Sequence, residues 1–152
     1  MKTVTKLLVL FIGCSLLAFT SSIKKDPPQK VKEAFAKKFP NIKKADWDKE
    51  SETEWEAEFK MNKVEYSANF LSDGTWLETE HDIKMKDVPK NILNTLKSEF
   101  SGYAIEEAEI SETSKGVFYE FEIEKDKIEM EVVFDTNGKI LKKELKEDEE
   151  ND

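Results

Sequence analysis

The residues that could perform chemistry in this chain are few. His81 is the only histidine and Cys14 the only cysteine among 152 residues. Nucleophilic catalysis and zinc binding need several such side chains together, and the five glycines form no phosphate-binding loop. The sequence therefore predicts no catalytic residue, metal ligand or cofactor. His81, between Glu80 and Asp82, is predicted to be an ordinary surface residue.

Carboxylates are the abundant chemical group. The chain has 33 acidic and 24 basic residues and a net charge of −9. With so many acids, pairs at a spacing suited to glycoside hydrolysis arise by chance, so they indicate no acid–base catalysis. The negative charge excludes nucleic acid and anionic membranes as partners, whereas a basic peptide or a cationic protein face remains compatible.

One segment is similar to the start of a calcium loop, Asp135-Thr136-Asn137-Gly138. The closing glutamate and the intervening ligands of such a loop are not at the required positions. A tight hairpin explains the same residues, because Asn-Gly readily adopts the positive φ that such turns need. We therefore expect a turn here and no calcium site.

The first 22 residues are typical of a secretory signal peptide. Lys2 and Lys6 precede an apolar stretch, 7–19, and small polar residues follow at 20–22. A lipoprotein attached through Cys14 is the alternative, but the residues after Cys14 continue the apolar stretch and form no polar tether. Loss of Lys2 and Lys6 with the leader would change the net charge from −9 to about −11. We expect a periplasmic or secreted protein.

The remaining chain repeats one pattern. Val31, Phe35 and Phe39 recur 61 positions later as Ile92, Leu96 and Phe100, each set on the apolar stripe of a short helix. A second set recurs 64 positions later: Trp55, Phe59, Val64, Tyr66, Ala68, Phe70 and Gly74 return as Tyr119, Ile123, Ile128, Met130, Val132, Phe134 and Gly138. Such a repeat predicts one supersecondary unit copied once.

Within each copy the apolar period changes from near four to two, which indicates strands with one buried face. Short first strands are predicted around Ala45 and Trp47 and around Ala108 and Ile110. Two longer strands follow in each copy, joined in the first near Met61 and Asn62. Asp73-Gly74 and Asn137-Gly138 then lead into fourth strands at 75–82 and 139–145. Trp76 and Leu77 compete for burial, since only one of them can face the helix.

These patterns predict an α+β fold, a tandem repeat of one helix plus a four-stranded antiparallel meander. The predicted segments are a signal peptide at 1–22, repeats at 23–84 and 85–146, and an acidic disordered tail at 147–152. Both helices should cover the aromatic side of the sheet and leave a glutamate-rich side in water. The edge strands where the units meet are expected to pair. Seven glutamates are candidates for a surface that faces a partner: Glu56, Glu58, Glu65, Glu120, Glu122, Glu129 and Glu131.

Several segments together resemble the PepSY-like family, also called β-lactamase-inhibitor-protein-like or BLIP-like. They are VKEAFAKKFP at 31–40, ADW at 45–47, WEAEF at 55–59, ANF at 68–70, DGTWLETE at 73–80 and, in the second copy, YEFEI at 119–123. The resemblance implies a secreted or periplasmic protein whose sheet forms a concave surface facing away from the helices. The residues with which lactamase inhibitors block their enzymes match no motif here, and their disulfides are absent.

Together, the residues and the resemblance predict a non-enzymatic exported binding module. It would present its acidic sheet face to a protein or peptide, and could modulate a secreted or periplasmic enzyme. The alternative from a different class is an envelope protein that binds a small ligand or a cation. An enzyme with paired carboxylates would require two such groups at the base of a cleft.

Overall fold

The computed structural model describes residues 26–146, which form two α-helices and one eight-stranded sheet. The predicted signal peptide at 1–22, Cys14 and the predicted disordered tail at 147–152 lie outside these residues. The elements are α1 (Gln29–Lys38), β1 (Asp46–Asp48), β2 (Glu54–Met61), β3 (Val64–Leu71), β4 (Trp76–Asp82), α2 (Lys90–Glu99), β5 (Ala104–Thr113), β6 (Gly116–Lys125), β7 (Ile128–Asp135) and β8 (Ile140–Leu145). Within residues 26–146, no helix combines the length and the apolarity needed to cross a membrane.

The sheet is a single antiparallel meander in which the strand order follows the chain order. A helix precedes four strands in each half of the described chain. The two halves join where β4 pairs with β5, with Glu80 opposite Ser111 and His81 opposite Ile110. This continuous sheet confirms the expected pairing of the edge strands.

The first core lies between α1 and the strands β2 and β3. Pro28 precedes the helix, where its missing N–H costs nothing, and the helix ends before Pro40 as predicted. Val31 and Phe35 are buried against Trp55, Ala57, Phe59, Ala68 and Phe70. Burial of each large apolar side chain contributes roughly 1.5–3 kcal/mol, which is what holds this short helix on the sheet.

The second core repeats this arrangement between α2 and the strands β5, β6 and β7. Ile92 and Leu96 pack against Ala108, Phe121, Ile123, Val132 and Phe134. Because side chains alternate across a strand, both helices lie on the same side of the sheet. The predicted placement of the helices on the aromatic side is confirmed.

The hairpin turns use two different backbone solutions. Asn62 and Lys63 between β2 and β3, and Asp126 and Lys127 between β6 and β7, all have positive φ, as a two-residue turn of type I′ requires. Gly74 and Gly138 have φ of +92° and +82° and close longer turns before β4 and β8. The prediction that these two glycines supply positive φ is confirmed.

Three local predictions need correction or completion. Strand β5 has 10 residues whereas β1 has 3, because β5 is paired on both sides and β1 lies at the edge of the sheet. Trp76, and not Leu77, packs beside the first core, and its indole N–H donates to the Glu78 carbonyl at 2.7 Å. His81 is half-buried and its ring stacks on Tyr66 with a centroid distance of 4.5 Å, so it is not an ordinary surface residue.

Candidate functional site: the acidic sheet face

The side of the sheet opposite the helices is predominantly acidic, because each strand alternates an apolar residue toward the core with a polar one away from it. We call this side the acidic face. The registers place these carboxylates on it: Asp46, Asp48, Glu54, Glu56, Glu58, Glu65, Glu78, Glu80, Asp82, Glu107, Glu109, Glu120, Glu122, Glu124, Glu129, Glu131 and Glu144.

Five of these groups form a band across the middle strands, which we call the carboxyl row: Glu56 on β2, Glu78 and Glu80 on β4, Glu109 on β5 and Glu120 on β6. Four of them expose only 7–8% of their surface, and Glu109 is half-buried. The helices lie on the other side, so the carboxyl row is buried by neighbouring side chains of the acidic face itself. Neighbouring strands are only about 4.8 Å apart, which lets long side chains exclude water from one another.

Two lysines act on the carboxyl row, since Lys142 lowers the pKa of Glu120 and Lys146 lowers that of Glu109, but burial has the larger effect on both groups. The Ser111 hydroxyl donates to Glu78 Oε2 at 3.4 Å. The buried Oε1 of Glu120 accepts no hydrogen bond from residues 26–146. Buried charge without a partner is costly, so these groups favour the protonated form.

The pKa values of the row follow from this environment. Burial, and then the neighbouring carboxylate Glu78, raises the pKa of Glu80 to about 9. Burial followed by Glu131 raises the pKa of Glu120 to about 8. In each of the other three groups burial is the largest cause and raises the pKa to about 7; these are Glu56, Glu78 and Glu109.

At the end of the acidic face near β8, lysines form ion pairs with carboxylates. Lys142 Nζ lies 3.3 Å from Glu131 Oε1 and also pairs with Glu144. Lys146 pairs with Glu122. The acidic face is therefore asymmetric: Lys142 on β8 and Lys146 just after β8 form ion pairs with Glu122, Glu131 and Glu144 at one end of it.

The structure divides the seven glutamates that the sequence selected. Glu58, Glu65 and Glu129 are exposed, and Glu122 is half-buried beside Lys146. Glu56, Glu120 and Glu131 expose no more than 8%. The expectation that this side lies in water was wrong for these last three, because they sit among other long side chains near the middle of the sheet.

Sequence reasoning missed Glu78, Glu80 and Glu109 as members of the site. The alternation of Glu78, Glu80 and Asp82 along the predicted fourth strand was available as a signal. Combined with the expected pairing of the two units, it would have placed β4 and β5 at the centre of the sheet. Glutamates facing away from the helices on two central strands necessarily meet.

Two further sites bear on cation binding. Asp82, Glu107 and Glu109 each offer a carboxylate oxygen, and these oxygens lie within 4.8 Å of one another. Oxygen ligands of this kind suit calcium or magnesium.

At the segment that resembles a calcium loop, Asp135 Oδ1 instead accepts hydrogen bonds from the backbone N–H groups of Asn137 and Lys139, both at 2.9 Å. That carboxylate stabilises the hairpin turn.

Comparison with known proteins identifies a family and a fold. Residues 53–142 match a family model described as "Putative beta-lactamase-inhibitor-like, PepSY-like". The chain is similar to a DUF2874 family protein from Bacteroides ovatus, with 20% identity, a TM-score of 0.72 and coverage of 80% of this chain and 89% of that one. A BLIP-like protein from Bacteroides fragilis gives 18% identity, a TM-score of 0.71 and coverage of 84% and 93%.

A third solved structure, from Bacteroides eggerthii, is described by the words "putative periplasmic proteins". It gives 19% identity, a TM-score of 0.70 and coverage of 80% of this chain and 90% of that one. No curated protein sequence matches the chain. At these identities the solved structures establish a BLIP-like fold, and function has to be argued from the site.

Proposed function

Because the chain belongs to the PepSY-like, beta-lactamase-inhibitor-like family, we propose that it is a non-enzymatic exported module that binds a protein or peptide through its acidic face. The observation that supports this most is the carboxyl row. Five carboxyl groups act on one another on one side of a sheet, four of them are buried, and burial raises the pKa of each. A basic partner would supply the missing charges.

Export to the periplasm or the exterior is part of the proposal. The signal pattern at 1–22 and the description of the Bacteroides eggerthii protein both support it. In that compartment a binding module could modulate an exported enzyme, as the family description suggests. The exposed glutamates Glu58, Glu65 and Glu129 would surround the contact, and the buried row would provide its centre.

Charge reversal at two exposed glutamates tests the proposal. The double variant Glu58→Lys, Glu129→Lys changes the acidic face without placing a lysine at a buried position. Proteins captured by the immobilised mature chain from an envelope extract of the source bacterium should be lost with this variant, because two favourable charges become repulsive.

A matched control applies the same change of charge to the helix side. Glu33 on α1 and Glu99 on α2 are exposed, so the double variant Glu33→Lys, Glu99→Lys has the same net charge as the first. It should retain the captured proteins. If the two variants recover the same proteins as the wild type, the acidic face is not the binding surface and the proposal is wrong.

A cation-binding function is the second candidate, and one observation favours it. The carboxylates of Asp82, Glu107 and Glu109 are close enough to share an ion. We propose it only as the alternative, because two of the three side chains are half-buried and the third is exposed. Loose acidic clusters of this kind bind ions weakly and in a salt-dependent way.

We also propose that the two halves arose by duplication of one unit. The repeated positions in the sequence support this, as does the contact between each fourth-strand turn and its helix. Gly74 lies against the backbone of Lys30 in α1, and Gly138 lies against the backbone of Asn91 in α2. Lys30 and Asn91 are 61 positions apart, the same offset as the apolar stripes of the helices.

A further inference from the structure

A large cleft lies at the end of the sheet formed by the first five strands. Its volume is about 1140 Å³, and it is lined by the loop 41–45 and by residues of β1–β5. Pockets for small ligands are about 300–1,000 Å³, so this cleft can accept a segment of a larger molecule. Seven carboxylates of the acidic face line it: Asp46, Glu58, Glu65, Glu80, Asp82, Glu107 and Glu109.

Glu80 is the most buried of the carboxylates that line the cleft. It exposes 8% of its surface, and no donor or cation among residues 26–146 contacts its carboxyl group. Its two cross-strand neighbours are Ser67 and Ser111, and the Ser111 hydroxyl donates to Glu78. A buried carboxyl that lines a cleft without a donor has the capacity to receive one from a ligand.

The charged groups with the largest effect on the pKa of Glu80 are acidic. They lie on its own strand and on three others: Glu78 on β4, Glu109 on the adjacent strand β5, Glu56 on β2 and Glu120 on β6. The basic residues of the cleft wall are Lys43, Lys44 and Lys60, all exposed, and Lys60 pairs with Glu65 at 2.7 Å. A cation brought to Glu80 would lower the pKa values of these carboxyl groups and favour their charged forms.

We propose that this cleft binds a lysine- or arginine-containing segment of the partner, with Glu80 as the central receptor of a basic side chain and Asp82, Glu107 and Glu109 around it. The inference rests on the proposed function and specifies the chemistry of the partner. A long basic side chain fits because its flexible stem can carry the charge to a buried carboxylate. The hydrogen bond formed there would be charge-assisted, which makes it about twice as strong as a neutral one.

A metal ion is the competing occupant, and the size of the cleft argues against it. Calcium requires six to eight oxygen ligands within about 2.6 Å, and only Asp82, Glu107 and Glu109 are brought together in this way among the described residues. Glu80 does not belong to that group. A basic segment instead uses the whole length of the cleft and satisfies Glu80 as well.

Calorimetry with defined peptides tests this assignment. The probes are capped tetralysine and capped tetraarginine, titrated into the mature protein at neutral pH and low ionic strength in two buffers that differ in ionisation enthalpy. Glu80 holds a proton in the free protein, because burial and the neighbouring carboxylates raise its pKa to about 9. A bound ammonium or guanidinium group favours the charged carboxylate, so binding should release a proton and the two buffers should give different heats.

The variant Glu80→Gln keeps the size of the side chain and removes both the charge and the proton. We expect its affinity for tetralysine to fall about tenfold or more, with loss of most of the buffer-dependent heat. The matched control is Glu129→Gln, which changes an exposed glutamate of the acidic face that does not line the cleft. It should bind within about twofold of the wild type.

Three results would overturn the assignment. The first is equal binding of tetralysine by the wild type and Glu80→Gln. The second is a stoichiometric calcium heat in the absence of any peptide binding, which would favour the metal alternative. The third is binding without a buffer-dependent heat. If Glu80→Gln does not fold, Glu109→Gln replaces it and should also weaken binding.

The outcome of this titration can be distinguished from the outcome of the capture experiment that tests the proposed function. If the double variant Glu58→Lys, Glu129→Lys loses its captured proteins while Glu80→Gln binds tetralysine normally, the acidic face is the binding surface and the cleft assignment is wrong. If the captured proteins do not depend on the acidic face at all, the proposed function itself is wrong.

Discussion

Glu120 shows how a residue that looks solvated in the sequence becomes titratable near neutral pH in the fold. It exposes 7% of its surface, and its Oε1 accepts no hydrogen bond from the described residues. Glu109 lies directly opposite on β5, and Glu131 on β7 is the largest electrostatic influence on its pKa. The folded chain therefore keeps on Glu120 a proton that the unfolded chain would release.

The sign of the effect on stability follows from the pKa values. The pKa of Glu120 rises from 4.5 to about 8 on folding. The stability that this group contributes is present in full below pH 4.5 and is lost as the pH rises through about 8. The other members of the carboxyl row have raised pKa values as well, so the whole protein should lose stability over the same range.

We expect Glu120→Gln to be more stable than the wild type at pH 9, by roughly 1–3 kcal/mol, and similar to it at pH 5. Glutamine keeps the shape of the side chain and cannot ionise. Urea unfolding at pH 5, 7 and 9 measures the difference. Glu129→Gln, at an exposed position of the same face, should follow the wild-type pH profile, and an identical profile for Glu120→Gln would show that Glu120 is not held protonated.

At the scale of elements, each helix is tied to the turn before the last strand of its half. A Cβ at Gly74 would lie 2.8 Å from the Lys30 carbonyl oxygen in α1. At Gly138 it would lie 3.2 Å from the carbonyl carbon of Asn91 in α2. The two turns thus need glycine for space as well as for backbone conformation.

We expect Gly74→Ala to destabilise the protein by roughly 2–4 kcal/mol, because positive φ and a backbone clash act together. Gly102→Ala is the matched control, since Gly102 has φ +87° and meets only the flexible end of Lys125. It should cost roughly 1–2 kcal/mol through backbone strain alone. Thermal and urea unfolding measure both variants, and equal losses would mean that contact between the turn and α1 contributes nothing.

At the scale of the molecule, two separate cores share one sheet. Val31 and Ile92 are each fully buried, one in each core. The strands β4 and β5 pair along five residues and connect the two halves. A sheet joined in this way cannot lose one half without exposing a long new edge of the other.

The two halves are therefore expected to unfold as one cooperative unit. All three tryptophans, at 47, 55 and 76, lie in the first half, so their fluorescence reports on that half while far-ultraviolet circular dichroism reports on both. Ile92→Ala in the second core should lower the stability by roughly 2–5 kcal/mol by both signals. Val31→Ala in the first core should also move both signals together. If Ile92→Ala leaves the tryptophan transition unchanged, the halves unfold independently.

The sequence alone determined most of the elements of this molecule. The apolar stripe of Val31 and Phe35 located α1, and its counterpart with Ile92 and Leu96 located α2. The change to a period of two located the longer strands, and Asp-Gly and Asn-Gly located two turns. These are local signals, because the spacing of side chains along a helix or strand is set by backbone geometry within a few residues.

Only the tertiary structure decided the length of β5, the burial of Trp76 and, above all, the state of the glutamates. A glutamate on the outer side of a strand looks the same in the sequence whatever the neighbouring strands place beside it. Glu131 lies beside Lys142 of the next strand, whereas Glu80 of β4 is acted on by Glu109 of β5. Register and strand order decide this, and they depend on contacts between residues far apart in the chain. The desolvation that raises the pKa of Glu80 is a sum over all those neighbours, so no local pattern could reveal it.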